Sequence, residues 1–193
     1  MTATNANADY TRNILSSQET IARFVQGGKA TITVVNTQTD KRYTFMVSCK
    51  REKQVDRGVA GKRISPYFVK LMTGSDNVVD YTYIGYVNPG HSFSPSRKPV
   101  SGRVASKVAS GSAAWDWFWG VLNGRNNSNG SKRATTLADY PVEVWHEGNC
   151  GCCGRKLTVP LSISMGCGPD CAETYYGTTL AQMAKDAGIT VAG

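Results

Sequence analysis

The chain has 193 residues, a formal net charge of +8, 40% hydrophobic residues, and four Trp, nine Tyr and five Phe. It is long enough for one domain with a sizeable core or a main domain with a small appendage, and too rich in apolar and aromatic residues for a disordered chain. It has no apolar run of membrane-spanning length, and its start, MTATNANADYTRN, lacks a basic region followed by an apolar stretch, so the expectation is a soluble, cytoplasmic protein with no membrane contact.

Residues 1–14 are small and polar without a period and are expected to form a flexible arm. An α+β body is expected over 15–125. It begins with SSQETIARFVQGG, in which Ser16 as N-cap, Glu19 as its capping-box partner, apolar Ile21, Phe24 and Val25, and the stop Gly27-Gly28 predict a short helix. The β-branched and aromatic segments KATITVVN and KRYTFMVSCK, separated by TQTD, predict a hairpin. The basic stretch REKQVDRGVAGKR reads as an exposed loop, and YFVKLMTG and DYTYIGYV as a second pair of strands, so the sheet is expected to be mainly antiparallel.

NPGHSFSPSRKPVSGR holds three of the seven prolines and reads as a linker or long loop. Beyond it, SKVASGSAAWDWFWGVLNG places Trp115, Phe118, Trp119 and Leu122 on one helical face and Trp117 and Val121 on another. A helix apolar on two sides is expected to be sandwiched, between the sheet and the C-terminal segment or between protomers of a homo-oligomer. Residues 126–141 are expected to be a linker loop. The last unit, 142–193, contains a short strand in YPVEVWHEG, five of the six cysteines and a final helix in TTLAQMAKDAGI.

In that unit Cys150 and Cys153 form a C-x2-C turn closed by Gly154, and CGPDC supplies Cys167 and Cys171, a spacing that suits one tetrahedral zinc. Pro169 suits a helix start, so Cys171 would bind from a first helical turn and the module would be treble-clef-like or ribbon-like. His146, four residues before Cys150, also has ligand spacing, and the metal set is therefore Cys150, Cys153 and Cys171 with either Cys167 or His146 as the fourth. Cys152 reads as a spare thiol and Cys49 as a small core residue. Disulfides would need an oxidising compartment, an iron–sulfur cluster is the minor metal alternative, and no catalytic signature surrounds His91, His146 or Glu147. The zinc is expected to be structural and the protein not to be an enzyme.

The residues His146, Gly148, Cys150, Cys153, Gly154, Arg155, Leu157, Thr158, Pro160, Ser162, Ile163, Gly166, Gly168, Pro169 and Cys171 follow the pattern H-x-G-x-C-x2-C-G-R-x-L-T-x-P-x-S-I, a short gap, then G-x-G-P-x-C. This resembles the C-terminal motif of a family of small phage and prophage proteins of unknown function. The resemblance implies a phage setting, with the host cell cytoplasm as location, and a metal site, but no established activity. Cys167 stands where that pattern tolerates another residue, which shifts the fourth ligand toward His146.

Charge is concentrated in the front half: from Lys41 to Arg63 there are eight Lys or Arg against two acids, whereas from Asp139 onward six acids face three bases. Lys41, Arg42, Lys50, Arg51, Lys53, Arg57, Lys62 and Arg63 are therefore the candidate nucleic-acid contacts, with Tyr43, Phe45, Tyr67 and Phe68 as candidate stacking residues. Arg97, Lys98, Arg103 and Lys107 would extend the patch. The expected function is nucleic-acid binding, in a single-strand or replication-accessory role. The alternative is a factor that binds or inhibits a host enzyme or defence complex through the Trp-rich helix.

Overall fold

The computed structural model describes residues 13–51, 63–76, 78–88, 91–124 and 136–189. The basic loop with Lys53, Arg57 and Lys62, most of the N-terminal arm and most of the linker lie outside the described residues. Helix α1 (Gln18–Gln26) starts one residue later than expected, because the Ser17 hydroxyl accepts the Thr20 N–H at 3.1 Å, and Glu19 pairs with Arg23 instead of closing a capping box. Strands β1 (Lys29–Asn36) and β2 (Arg42–Arg51) form the hairpin. Its turn is fixed by Asn36, whose Oδ1 accepts the Gln38 and Thr39 N–H groups, and by Asp40 at a positive φ of 54°.

β3 (Arg63–Met72) and β4 (Tyr81–Val87) continue the antiparallel sheet. The proline-rich segment contributes a two-residue edge strand, β5 (Ser94–Pro95), and buries Phe93. At the other edge β6 (Val142–His146) pairs with β1, giving the order β5-β4-β3-β2-β1-β6. The strand grouped by sequence with the cysteine unit thus belongs to the sheet of the body. Asn13 and Ile14, at the end of the expected arm, and Leu15, the first residue of the expected body, lie along the outer edge of β6: the His146 N–H donates to the Asn13 carbonyl and the Leu15 N–H to the Val144 carbonyl.

One face of the sheet carries the main core, where Ile32, Phe45, Val47, Val69, Leu71 and Ile84 meet α1 and α2 (Ala105–Leu122). Trp115, Phe118 and Trp119 are fully buried there. Phe45 and Tyr67, candidate stacking residues by sequence, are core residues, because their positions in β2 and β3 point to this face. The second apolar side of α2 is covered by Tyr140, which meets Trp117 edge-on at 5.0 Å, and by the start of α1. Among the described residues the cysteine unit forms a separate core cluster. The helix approaches β3 closely at Gly111, where a methyl group would run into the Leu71 side chain.

The C-terminal unit has its own small core, built from Cys150, Cys152, Leu157, Met165, Cys167, Cys171, Ala172, Leu180, Met183 and Ala184. It contains α3 (Pro160–Met165), α4 (Pro169–Tyr176) and α5 (Leu180–Asp186). Helix α3 has no counterpart in the elements read from sequence. Among the described residues no helix is long and apolar enough to cross a membrane.

The close approach at Gly111 makes a prediction. Gly111→Ala should lower stability by about 1–3 kcal/mol through overpacking against Leu71, although alanine alone would gain about 1 kcal/mol in helix propensity. Urea unfolding compared with Ser110→Ala measures it, and an unchanged midpoint would mean that the helix shifts freely.

Candidate metal centre

The cysteine unit begins where β6 ends. Gly148, at φ 75°, turns the chain, and the Leu157 N–H closes a loop onto the Gly148 carbonyl at 2.7 Å. Inside it the Cys150 N–H donates to the Arg155 carbonyl and the Gly154 N–H to the Cys150 carbonyl, both at 2.8 Å, so the C-x2-C turn is tight. Gly154 takes the left-handed φ of 78° that this turn requires. The chain then enters α3 with Pro160 in its first turn and leaves it at Gly166, whose carbonyl accepts the Gly151 N–H at 3.0 Å. Cys167 follows directly, and Pro169 opens α4 with Cys171 in the first turn, as its spacing predicts.

These turns gather five sulfurs. Cys150, Cys153 and Cys171 form one group and Cys150, Cys152 and Cys167 another, with the Sγ atoms of each group within 4.8 Å of one another. Cys150 is common to both. A tetrahedral zinc with Zn–S bonds of about 2.3 Å would set sulfurs roughly 3.8 Å apart, so each group of three lies near coordination spacing and a fourth ligand would have to come from the other group. The soft thiol donors and their burial fit such an ion, and no other residue type contributes to either group.

The electrostatics point the same way. Hydrogen bonds from Cys152, Cys167 and Cys171 pull the Cys150 thiol far below its ordinary pKa. Interaction with Cys150, then Cys152, pushes Cys167 and Cys171 far above theirs. At Cys152 the bond to Cys150 opposes ionisation while Cys167 and Cys171 favour it, and the balance lowers it to about 6. Negative charge thus falls on Cys150 and Cys152 while Cys167 and Cys171 stay protonated; a bound cation would remove that limit by compensating several thiolates at once.

His146 belongs to neither group. It is buried on the core side of β6, its ring 5.2 Å from that of Phe24, and its Nδ1 accepts the Gly148 N–H at 3.2 Å. Burial lowers its pKa, with hydrogen bonding at the Ile163 backbone acting the other way, and its Nε2 has no well-directed partner. Cys152, the expected spare thiol, instead sits with Cys150 and Cys167, its Sγ 3.3 Å from the Tyr176 hydroxyl. The two sides of Cys150 differ in access. The side with Cys153 and Cys171 opens onto a cleft of about 390 Å³ bordered by Arg155, Lys156 and Tyr175. Cys152 and Cys167 are both buried.

The candidate nucleic-acid residues are divided by the fold. Lys41 and Arg42 lie at one end of β2 and Lys50 and Arg51 at the other, with Arg63 paired to Arg51 across β3. The Lys50 end adjoins a feature that alternation along the chain hides. Phe68 pairs with Tyr86 and Lys70 with Tyr83, because a bulge between these pairs inserts an extra residue in β4 and brings Tyr83 and Tyr86 to one face. Phe68 and Tyr86 are each 37% exposed, and the Phe68 and Tyr83 rings are 6.3 Å apart. Tyr83 and Tyr86 line a groove of about 820 Å³ with Arg97 and Lys98. Burial, then the neighbouring Tyr86, raises the Tyr83 pKa.

Residues 143–176 match a family described as a family of unknown function (DUF6011). The match covers the cysteine cluster and less than a fifth of the chain. No curated protein and no solved structure matches the chain.

The shared position of Cys150 predicts that Cys150→Ser removes bound metal altogether, whereas His146→Gln retains the wild-type metal content. Elemental mass spectrometry on the purified variants reads both, and loss of metal in His146→Gln would return the histidine to the ligand set.

Proposed function

We propose that the protein binds single-stranded nucleic acid on the face of the sheet opposite α1 and α2, and that one structural zinc holds its C-terminal unit in place. The observation that carries the first part is the cluster of Phe68, Tyr83 and Tyr86 on that face, bordered by Lys70, Arg97 and Lys98. Unpaired bases stack on such rings whatever their sequence, while the cations track the phosphates. Lys50 is exposed two residues beyond Ser48, the partner of Phe68, and extends the positive charge along the same end of the sheet.

The zinc reading rests on the cysteine geometry. Cys150, Cys153 and Cys171 supply three ligands and Cys167 or Cys152 the fourth, the Nδ1 of His146 being engaged by Gly148. A bound zinc would supply charge compensation and a crosslink between the C-x2-C turn and the first turn of α4, as in treble-clef modules, with α3 filling the intervening segment. The phage setting implied by the motif is compatible with a single-strand or replication-accessory role. The alternative, a host-protein interaction through the Trp-rich helix, has less support, since Trp115 and Trp119 are 0% exposed and cannot anchor a partner.

Labelled single-stranded oligonucleotides titrated across a salt series test the nucleic-acid reading. Affinity should fall steeply with salt, and Phe68→Ala with Tyr86→Ala should each cost about 1–3 kcal/mol per lost base stack. Arg97→Gln and Lys98→Gln should each flatten the salt dependence by about 0.7 in log–log slope. Absence of binding at low salt would sink the reading and favour a protein partner.

A further inference from the structure

The other end of the β1–β2 hairpin carries a second concavity, on the α2 side of the sheet, which the nucleic-acid groove does not use. Tyr43, Phe45, Trp117 and Tyr140 contribute aromatic wall to a cavity of about 330 Å³, which Asn36 and Lys41 also line. Trp117 and Tyr140 meet edge-on at an interplanar angle of 87°, while Tyr43 and Phe45 are near-parallel, so flat aromatic surface is offered from two directions. The volume is at the lower end of ligand pockets, roughly 300–1,000 Å³, and suits one ring system.

Directly beside it, sharing Lys41 and Tyr43, runs a groove bordered by Arg42, Ser106 and Lys107. Arg42 is held by Asp40 at 2.9 Å, but neither Lys41 nor Lys107 has an ion-pair partner among the described residues. Ser106 and Lys107 lie in the first turn of α2, which contains no acidic residue to offset the cation. The Asn36 side chain spends its Oδ1 on the hairpin turn, which leaves its amide donors for a ring edge.

We propose that this composite site binds a nucleotide unit, with the base in the Trp117–Tyr140 cavity and the phosphate on Lys41 and Lys107. The juxtaposition of an aromatic cavity with a basic, hydroxyl-bearing groove, joined through two shared residues, is what a planar ring carrying a phosphate requires. The unit is either a free mononucleotide or the phosphorylated end of a strand. The site lies on the opposite face of the sheet from Phe68 and does not rest on the single-strand reading.

Isothermal titration of the full-length chain as purified, with AMP, GMP, CMP and UMP, and with adenosine and inorganic phosphate alone, tests it. Oligonucleotides with a 5′-phosphate, a 3′-phosphate or neither form the second arm. A mononucleotide should bind saturably and more tightly than either fragment. Lys41→Gln with Lys107→Gln should weaken it by about tenfold or more, as loss of charge-assisted hydrogen bonds does, without changing the melting temperature. Trp117→Leu should weaken it and Trp117→Phe restore most of the loss, while Phe68→Ala leaves it intact. Binding of phosphorylated strand ends alone, through the same residues, would support the site and identify the strand end as its source. No binding of mononucleotide or strand end at millimolar concentration, phosphate binding as tightly as nucleotide, or indifference to the Lys41–Lys107 and Trp117 variants would overturn it.

Discussion

The ring of Phe24 occupies the space that side chains on Gly151 and Gly166 would need, and that exclusion fixes how the cysteine unit sits on the sheet. Phe24 is 3% exposed and belongs to the main core, yet its neighbours include the C-x2-C turn and the exit from α3. Around it the Lys29 N–H donates to the Gly151 carbonyl and the Tyr176 hydroxyl to the Arg23 carbonyl, both at 2.9 Å. Gly27 also packs against the Gly151 backbone so tightly that no side chain fits. The cysteine cluster is therefore positioned by the end of α1 as much as by its own small core. A metal bound by the C-x2-C turn would brace a wall of the main core, so its occupancy would be coupled to the stability of the whole.

Local patterns were legible because local physics sets them. The apolar spacing and glycine stop of α1, the β-branched runs of β1 and β2, and the Pro169 entry to α4 all lie within a few residues of what they determine. Helix α3 had signals of the same kind, Pro160 at its start and Gly166 at its stop, but only six residues between them, too few for a periodicity to show. The pairing of β6 with β1 joins residues more than a hundred positions apart, and no local pattern encodes it. Tyr83 and Tyr86, three positions apart, fall on opposite faces of a regular strand; the bulge at β3–β4 puts them on one. At the cysteines, spacing found the pair Cys150 and Cys153, but Cys152 is drawn inward beside the Tyr176 hydroxyl, a long-range contact that spacing cannot reveal.

The basic run that reads as one patch in sequence is split by the sheet. Eight residues of extended chain separate Arg42 from Lys50, about 26 Å at the rise of a strand, so the two ends of β2 serve different surroundings. One end adjoins the open aromatic face with Phe68 and Tyr86; the other borders the Trp117 cavity on the helix side. Charge clustering in a sequence thus marks the strand that carries it, and only the register and the face decide what each cation meets.

The two edges of the sheet have a consequence for how copies of this chain can meet. β5 is two residues long and contains Pro95, which cannot donate to a further strand, and the outer edge of β6 is occupied by Asn13, Ile14 and Leu15. Among the described residues each rim is thus capped over part of its length, which shortens the row of open amides and carbonyls that templates fibrils or swapped strands. The partial capping works against backbone pairing between copies, so the exposed aromatic face with Phe68, Tyr83 and Tyr86 sits between edges that are poor templates for a further strand.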